Sequence, residues 1–387
     1  MTGALRVLIA HPSADLYGSD LQLVESVRAL RDAGARVVVS VPDRGPLEEL
    51  LVGAGARVVV DEVPVLRKAL LSPEGLARLV LAAPRAVVRL VGRMRALRPD
   101  VVYVNTVTIP WWVLAARLAR VPVLTHVHEA EDTGPLAVRR LVAAPLVLSH
   151  RVVVNSTAAL EAAAVVPGVR GRATVVHNGF PGPDDAVPLR GRDGTDPARL
   201  VVVGRLSPRK GTDVALEAVA ELLARGHDVR LDVYGSVFAG YEWFEDALRE
   251  RVARSDLAGR VVLRGYVRPT WDALAAADVV LVPSRSEPFG NTAVEALLAG
   301  RPLVASAVQG LAEIVRDGRT GVLVEPGDAE ALADGVERLL LDPGLASDLA
   351  RSGLADARDR FGPQRYRDAV RDVVVSVARR RAAHAAR

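Results

Sequence analysis

The sequence predicts an α/β protein with two doubly wound domains, and three observations lead to this expectation. Short runs of Val, Ile and Leu alternate with helical stretches along the chain. These runs are nearly continuously apolar, as expected for parallel strands that helices cover on both faces. A polar stretch rich in Pro and Gly, at residues 181–198, separates two such arrays. A length of 387 residues also suits two hydrophobic cores better than one.

The first array predicts a domain over residues 1–180, followed by a linker over residues 181–198. A helix is expected at Leu21–Ala33, because Gly34 follows it directly and glycine commonly ends helices. The predicted strands are Arg6–Ala10, Arg36–Val41, Arg57–Val60, Val101–Asn105, Val123–Val127, Arg151–Asn155 and Thr174–His177.

The second array predicts a domain over residues 199–362, and residues 363–387 form a C-terminal helix that either packs back on the first domain or ends as a basic tail. Its strands are Leu200–Val203, Val229–Tyr234, Val261–Arg264, Val279–Val282, Leu303–Ala305 and Gly321–Val324, with helices at Asp213–Arg225 and Thr292–Ala299. Ligands of such sheets bind beyond the carboxyl ends of the strands. We therefore expect a site in a cleft between the two domains.

Composition excludes several classes of function. The chain has no cysteine, which excludes thiol nucleophiles, disulfides and cysteine-ligated metals. Neither the full glycine pattern of a dinucleotide-binding turn nor a Walker A sequence is present. The seven histidines lack a helical pair with Glu between them, so we expect neither a metal nor a cofactor. No apolar stretch reaches the roughly 20 residues that cross a bilayer, and we expect a cytoplasmic protein.

The loop that opens the second domain carries two cations beside a glycine turn. Gly204 follows a strand, and Arg205 and Lys210 stand five residues apart before a helix. Arg can bind a diphosphate through two hydrogen bonds and Lys as a point charge. The pattern indicates a diphosphate-binding loop, and an ordinary basic loop is the alternative.

The strongest local signal is a pair of glutamates that are eight positions apart at a strand-to-helix junction. Glu287 lies in the loop, and Glu295 lies in the first turn of the next helix. Between them, the amides of Phe289–Thr292 form a helix N-terminus, which favours anions. Carboxylates here can accept hydrogen bonds from sugar hydroxyls. The alternatives are a capping box of Thr292 with Glu295 and a solvated acid at Glu287.

Two further sites lie in the first domain. Gly18 sits in a small turn between the first strand and a helix, where a ligand can approach the backbone, although Asp20 also fits a plain helix N-cap. The alternation of the fifth strand puts His126 and His128 on one face, with His128 at the carboxyl end. The alternative for His128 is a purely structural histidine.

Taken together, three elements resemble the family-4 retaining glycosyltransferases of the GT-B fold. They are the Glu287-to-Glu295 element, Gly204-Arg205 with Lys210-Gly211, and the segment 310–315, which is otherwise predicted to be a turn. The resemblance covers nearly the whole chain and is strongest in the second domain. Two positions depart from it, because Ser19 and Gln309 stand where the family often has glycine.

The resemblance implies a role for each matching residue. Arg205 and Lys210 would hold the donor diphosphate, Glu287 would bind hydroxyls of the transferred sugar, and Glu295 would bind the ribose. His128 matches the family histidine near the transferred sugar and the acceptor. The implied catalytic residues are His128 and Glu287, and the implied donor-binding residues are Gly18, Arg205, Lys210, Phe289, Gly290, Asn291, Thr292 and Glu295.

The implied activity is metal-independent, retaining transfer of a hexose-type sugar from a nucleotide diphosphate sugar to an acceptor hydroxyl. The acceptor would be a glycan, a glycolipid or a small molecule, and no nucleic acid partner is expected. Two alternatives stay open. One is a sugar-nucleotide epimerase or phosphorylase of the same fold, and the other is a non-catalytic nucleotide-sugar binding protein.

A basic, amphipathic segment between residues 66 and 98 predicts contact with an anionic membrane surface. Arg78, Arg85 and Arg89 recur at spacings of seven and four and so share a helical face, with a break expected near Pro84. Leu136–Arg151 adds a smaller apolar and basic stretch. A peripheral position on the inner face of the membrane would suit a lipid-linked acceptor. The alternative is a core-packed helix with a solvated, Arg-rich face.

Overall fold

The computed structural model describes residues 4–16, 18–66, 73–130, 134–183, 188–189, 196–238 and 240–385, and leaves the side chains of residues 73–81 and 380–385 undescribed. The chain divides into two compact units. Unit 1 combines residues 1–179 with residues 363–387, and unit 2 comprises residues 180–362. Each unit has a parallel sheet flanked by helices, which confirms the predicted α/β class.

Within the described part of unit 1, the strands form one parallel sheet in the order β3-β2-β1-β4-β5-β6-β7. They are β1 (Arg6–Ala10), β2 (Arg36–Val41), β3 (Arg57–Val60), β4 (Val101–Val104), β5 (Val123–Val127), β6 (Arg151–Val154) and β7 (Ala173–Val175). The direction in which strands are added reverses at β1, which lies between β2 and β4. Such a switch point leaves a crevice at the carboxyl ends of the two central strands.

The helices of unit 1 cover both faces of this sheet. They are α1 (Gly18–Asp32), α2 (Leu47–Gly53), α3 (Pro73–Leu97), α4 (Pro110–Leu118), α5 (Leu136–Ala143) and α6 (Thr157–Ala163). Helix α1 begins at Gly18, so this glycine is a helical residue and the turn predicted there is wrong. Asp20 is consequently inside the first helical turn, and its alternative role as an N-cap is also wrong.

Helix α3 runs through Pro84 without a break, contrary to the prediction. Proline removes one backbone hydrogen bond and crowds the preceding turn. That local cost is outweighed by packing, because Val87, Leu90 and Met94 bury their side chains in a cluster with Trp112 of α4. The segment is therefore partly a core helix, as its structural alternative proposed.

The strands of unit 2 form a second parallel sheet, in the order β10-β9-β8-β11-β12-β13 among the described residues. They are β8 (Ala198–Val203), β9 (Val229–Tyr234), β10 (Val261–Gly265), β11 (Val279–Val282), β12 (Leu303–Ser306) and β13 (Val322–Val324). The switch point of this sheet lies between β8 and β11. The loops after these two strands are the ones that carry the predicted cations and glutamates.

The helices of unit 2 again pack on both faces of the sheet. They are α7 (Thr212–Ala224), α8 (Glu242–Val252), α9 (Trp271–Ala275), α10 (Asn291–Leu298), α11 (Gln309–Ile314), α12 (Ala329–Leu341) and α13 (Pro343–Arg360). Helix α11 replaces the turn that was predicted after β12. Its apolar residues Leu311 and Ile314 are buried, and this packing favours a short helix at a position where the Gln-Gly pair suggested a turn.

Helix α14 (Pro363–Ala385) returns to unit 1 and packs along α1. The Tyr366 hydroxyl lies 2.6 Å from Ser26 Oγ, and Arg367 Nε donates to Glu25 at 2.7 Å. The apolar residues Val370, Val374 and Val377 are buried against the same face. These contacts attach the C-terminal helix to the core of unit 1.

Candidate functional site

The switch point of unit 2 contains a small pocket, lined by the ends of β8 and β11 and by the loops that follow them. Gly204, Arg205 and Lys210 line it from the β8 side, and Pro283 and Ser284 line it from the β11 side. The structure thus brings both predicted cations to the place where doubly wound sheets bind ligands.

Close packing of the two loops requires glycine at position 211. Its φ is +69°, and a Cβ there would lie 1.9 Å from the carbonyl oxygen of Pro283. This contact brings the loop after β8 directly against the end of β11. On the other side of the same loop, the Arg205 guanidinium lies over the Phe238 ring at 3.4 Å from its centroid, a cation–π contact.

Beside the pocket, Lys210 and Glu287 form an ion pair between the loop after β8 and the loop after β11. Lys210 Nζ donates to Glu287 Oε2, and Ser284 Oγ donates to the same oxygen at 3.3 Å. Glu287 is buried, and burial alone would raise its pKa. The positive charges of Lys210 and Arg209, together with these hydrogen bonds, outweigh burial and hold the pKa below its usual value. Glu287 is therefore ionised, and the solvated-acid alternative is wrong.

Gln309 fixes the loop that carries Glu287, although it stands where a glycine was expected. Its Oε1 accepts hydrogen bonds from the Glu287 backbone amide at 2.7 Å and from Ser286 Oγ at 3.0 Å. The next amide, of Gly310, donates to the Glu287 carbonyl at 3.0 Å. A Cβ at Gly310 would lie 2.3 Å from the Phe289 carbonyl oxygen, so only glycine fits there. Gln309, one of the two positions that depart from the family pattern, thus has a positioning role.

Glu295 and Thr292 do not form the capping box that was the alternative explanation. The N-cap of α10 is Gly290, and Thr292 Oγ1 instead donates to the Val203 carbonyl at 3.2 Å. Glu295 accepts a hydrogen bond from Thr270 Oγ1 at 3.2 Å. Burial raises the pKa of Glu295 to about 7, against the smaller opposing effects of Thr270, Arg268 and Lys210.

Between the two glutamates, Phe289 and Gly290 can offer a ligand their backbone amides but no side chain. The Phe289 side chain is buried in the core, with its ring 5.8 Å from that of Phe361. Gly290 has a φ of +116°, and a Cβ there would lie 2.6 Å from Leu311. Asn291 begins α10, so the amides at this junction belong to a helix N-terminus, as predicted.

The predicted residues of unit 2 thus share one neighbourhood, and the charge of Lys210 acts on both glutamates. Sequence reasoning missed Thr270 and Phe238, and it treated Gln309 only as a departure from the family pattern. Their partners come from other loops of the sheet edge, and no local pattern announces such contacts. The arrangement combines cations that suit phosphate groups with carboxylates that suit hydroxyl groups.

At the switch point of unit 1, a series of hydrogen bonds links several polar side chains. His11 follows β1, Asn105 follows β4, and His128 follows β5. His11 Nε2 lies 2.7 Å from Asp20 Oδ1, and Asn105 Nδ2 lies 3.0 Å from His11 Nδ1. At the other end of the series, His128 Nε2 lies 3.0 Å from Asn105 Oδ1. The sequence singled out only His128 and Asp20 of this set, since His11 and Asn105 belong to no local motif.

His126 and His128 lie on one side of β5, as the strand alternation predicted, with ring centroids 4.1 Å apart. His126 Nδ1 is 2.6 Å from the Tyr103 hydroxyl. Burial, followed by the nearby His11, lowers the pKa of His128 to about 3, and burial also lowers the pKa of His126. Both rings are therefore neutral at physiological pH.

Among the residues that the structure describes, no three His, Cys, Asp or Glu side chains lie close enough together to hold a metal ion. No helix in that part of the chain is both long and apolar enough to cross a membrane.

Comparison with known proteins adds to this geometry. A model of glycosyl transferases group 1 matches residues 197–342, and a model of glycosyltransferase family 4 matches residues 18–181. HepE from Anabaena, solved with UDP-glucose, superimposes with a TM-score of 0.81 and 25% sequence identity, over 96% of this chain and 100% of HepE. The chain belongs to the family-4 glycosyltransferases of the GT-B fold.

Other relatives of this family-4 glycosyltransferase match over shorter stretches or share the fold alone. D-inositol 3-phosphate glycosyltransferase of Rhodococcus jostii (strain RHA1) is 40% identical over 149 residues, which cover 37% of this chain. The match spans 33% of that relative, about a third of its length. Sucrose-phosphate synthase of Thermosynechococcus elongatus has a TM-score of 0.73 at 22% identity, over 98% of this chain and 100% of its own.

Proposed function

We propose that this protein is a metal-independent, retaining glycosyltransferase that moves a hexose from a nucleoside diphosphate sugar to an acceptor hydroxyl. The observation that carries the proposal is the group of charges around the pocket of unit 2, where Lys210 lies beside one ionised glutamate and near a second whose pKa is about 7. A nucleoside diphosphate sugar presents both negatively charged phosphates and hydroxyl groups, and it needs both kinds of partner.

The charged residues in and around the pocket each have a proposed part in donor binding. Arg205 and Lys210 bind the diphosphate, with the amides at the start of α10 as further donors. Glu287 accepts hydrogen bonds from hydroxyls of the transferred sugar. The hydrogen bonds that its carboxylate receives from Lys210 and Ser284 fix its orientation for this role. Glu295 accepts the ribose hydroxyls. The donor phosphates would share Lys210 with Glu287. Because Lys210 is already part of a partly buried ion pair, donor binding would not have to pay the full cost of removing this cation from water.

The proposed chemistry is attack on the same face from which the diphosphate leaves. The bond between the anomeric carbon and the phosphate oxygen breaks, and the acceptor oxygen bonds to the anomeric carbon. The acceptor proton passes to the departing phosphate oxygen, whose negative charge Arg205 and Lys210 stabilise. His128 would orient a hydroxyl of a substrate. Its pKa of about 3 leaves it neutral, so it would work as a hydrogen-bond partner rather than as an acid.

The relatives guide the choice of substrates. HepE was solved with UDP and with UDP-glucose, which supports a UDP-hexose as the first donor to test. The Rhodococcus relative is named for D-inositol 3-phosphate, which supports a polyol or its phosphate as an acceptor class alongside glycans and glycolipids. Both substrates are proposals for this chain.

The proposal is tested by incubating the protein with UDP-glucose and an acceptor panel in the presence of a chelator, and by analysing products by NMR. Transfer with an α-linked product, unaffected by the chelator, is expected. Complete loss of transfer that magnesium or manganese restores would contradict metal independence. An inverted anomer would contradict retention. Conversion of the donor without an acceptor would favour an epimerase, phosphate-dependent cleavage a phosphorylase, and binding without turnover a non-catalytic protein.

We further propose that unit 1 associates with an anionic membrane surface. Several apolar side chains are exposed on helices of unit 1, among them Val88 of α3 at 71%, Leu118 of α4 at 60% and Leu141 of α5 at 67%. The predicted basic helix takes part, although Arg93 is engaged with Asp61 and Arg89 with the Glu62 carbonyl. Exposed leucines among arginines are the composition that inserts at a bilayer interface.

A further inference from the structure

The series of hydrogen bonds from Asp20 to His128 has a definite direction, which follows from what each group can donate. Asp20 Oδ1 accepts a hydrogen bond from Ser13 Oγ at 2.9 Å, and Asp20 lies in the first turn of α1, where the helix dipole favours a negative charge. An ionised carboxylate can only accept. The proton between Asp20 and His11, 2.7 Å apart, therefore belongs to His11 Nε2.

The same rule passes along the next two contacts. The Asn105 side-chain NH₂ group can only donate, so His11 Nδ1, which lies 3.0 Å from it, accepts through its lone pair. The carbonyl oxygen of that amide then faces His128 and can only accept. His128 Nε2, 3.0 Å away, must consequently carry the proton of that ring.

With the hydrogen bonds in this direction, His128 Nδ1 is the ring nitrogen that carries no proton. This atom is buried and has no hydrogen-bond partner in the part of the chain that the structure describes. The neighbouring His126 ring is tilted by 35° against the His128 ring, with the ring centroids 4.1 Å apart, and it supplies no hydrogen bond to His128 Nδ1. A buried acceptor without a donor is costly, and a bound ligand is one way to satisfy it.

We propose that Asp20, acting through His11 and Asn105, holds His128 in the tautomer that is protonated on Nε2, so that Nδ1 accepts a hydrogen bond from a hydroxyl of a bound sugar. The ligand class rests on the function proposed above, whereas the tautomer does not. Asp20, His11 and Asn105 are positioning residues in this scheme, because they act on substrate only through His128. His128 therefore selects for a substrate group that donates a hydrogen bond. A substrate analogue with a hydrogen in place of that hydroxyl loses the contact.

The tautomer is measured directly by long-range ¹H–¹⁵N correlation NMR on the full chain labelled with ¹⁵N-histidine, near neutral pH. A His128→Gln spectrum assigns the ring by difference. We expect a protonated Nε2 and an unprotonated Nδ1 in the wild-type protein. A protonated Nδ1 would overturn the inference even if the protein transfers sugar. The expected tautomer in a protein with no transfer activity would instead count against the proposed function.

Variants test whether Asp20 sets the direction. Asp20→Ala and Asn105→Leu should let the second tautomer of His128 appear, whereas Ser13→Ala, which touches the same carboxylate oxygen but not His11, should leave the tautomer unchanged. Transfer by Asp20→Ala should fall about tenfold, the loss expected for one hydrogen bond. Unchanged His128 nitrogen signals in folded Asp20→Ala would refute the relay. If that variant does not fold, the wild-type spectrum and Asn105→Leu decide.

Discussion

Lys210 and Glu287 are joined by an ion pair between the loops that follow β8 and β11, although 77 residues separate them in the chain. Neither loop alone identifies a site, since a basic loop and a loop acid are common surface features. The ion pair shows that the two loops lie side by side. Its contribution to the free energy of unfolding can be measured separately from its contribution to ligand binding.

A double-mutant cycle on Lys210 and Glu287 should distinguish structure from function. Lys210→Met leaves a buried carboxylate without its cation and should lower the free energy of unfolding by about 1–3 kcal/mol. Adding Glu287→Gln removes that charge and should restore part of the loss. Urea denaturation measures the stability of all four proteins. Additive losses would show that the two side chains do not interact in solution.

Glu295 should make stability fall as the pH rises. The unfolded chain loses this proton near the ordinary pKa of 4.5, whereas burial keeps the folded protein protonated up to about 7. The folded state therefore binds more protons in that window, and its stability declines by up to about 3 kcal/mol before levelling off above it. In Glu295→Gln this component of the pH dependence should be absent. Parallel stability curves for the two proteins would place the pKa of Glu295 near its ordinary value.

Nucleotide affinity should follow the opposite trend with pH. An ionised Glu295 accepts hydrogen bonds from ribose hydroxyls better than the protonated acid does, so calorimetric affinity for UDP should increase as the pH passes through about 7. Glu295→Gln should bind more weakly and without this slope. Equal slopes in the two proteins would exclude Glu295 from the ribose contact.

Two glycines with positive φ offer a matched test of the close approach between loops. Gly226 has a φ of +89° and open space around its Cβ position, so Gly226→Ala should cost only the backbone strain, about 1 kcal/mol. Gly211→Ala adds a clash with the Pro283 carbonyl and should destabilise clearly more, with loss of donor binding as well. Thermal unfolding compares them, and equal shifts would mean that the loop relaxes without difficulty.

Hydrophobic periodicity sufficed to predict the sheets. The runs of Val and Leu gave β1, β2, β3, β5, β9 and β11 with the bounds that the structure has, because parallel strands buried on both faces need apolar side chains throughout. Boundary signals were less reliable. Pro84 did not end α3 and Gln309-Gly310 did not make a turn, since burial of Leu90 and Leu311 outweighed the local preferences.

Contacts between distant loops were beyond sequence reasoning. The Thr292-x-x-Glu295 spacing matches a capping box, yet Thr292 bonds to the end of β8 and Glu295 to Thr270. Only the three-dimensional arrangement decides which partner a side chain takes. The same applies to Asn105, which separates His11 from His128 and whose importance no local pattern conveys.

Binding to anionic vesicles should require the basic face of α3. We expect wild-type protein to sediment with phosphatidylglycerol vesicles at low salt, and added salt to release it. Arg85→Glu combined with Arg89→Glu should abolish sedimentation. The control combines Arg249→Glu with Arg351→Glu, exposed arginines of unit 2 that give the same change in net charge. Wild-type protein that stays in the supernatant at low salt would favour a soluble acceptor.

Equilibrium binding of a panel of nucleoside diphosphate sugars, measured by calorimetry without divalent metal, tests the central claim most directly. The panel is titrated into the wild-type protein and into the combined Lys210→Met and Glu287→Gln variant, whose fold is checked first. We predict that at least one donor, with UDP-glucose the first candidate, binds the wild-type protein and binds the variant at least about tenfold more weakly. Failure of every donor to bind, or equal affinity for the two proteins, would contradict the assignment of this pocket to a nucleotide sugar.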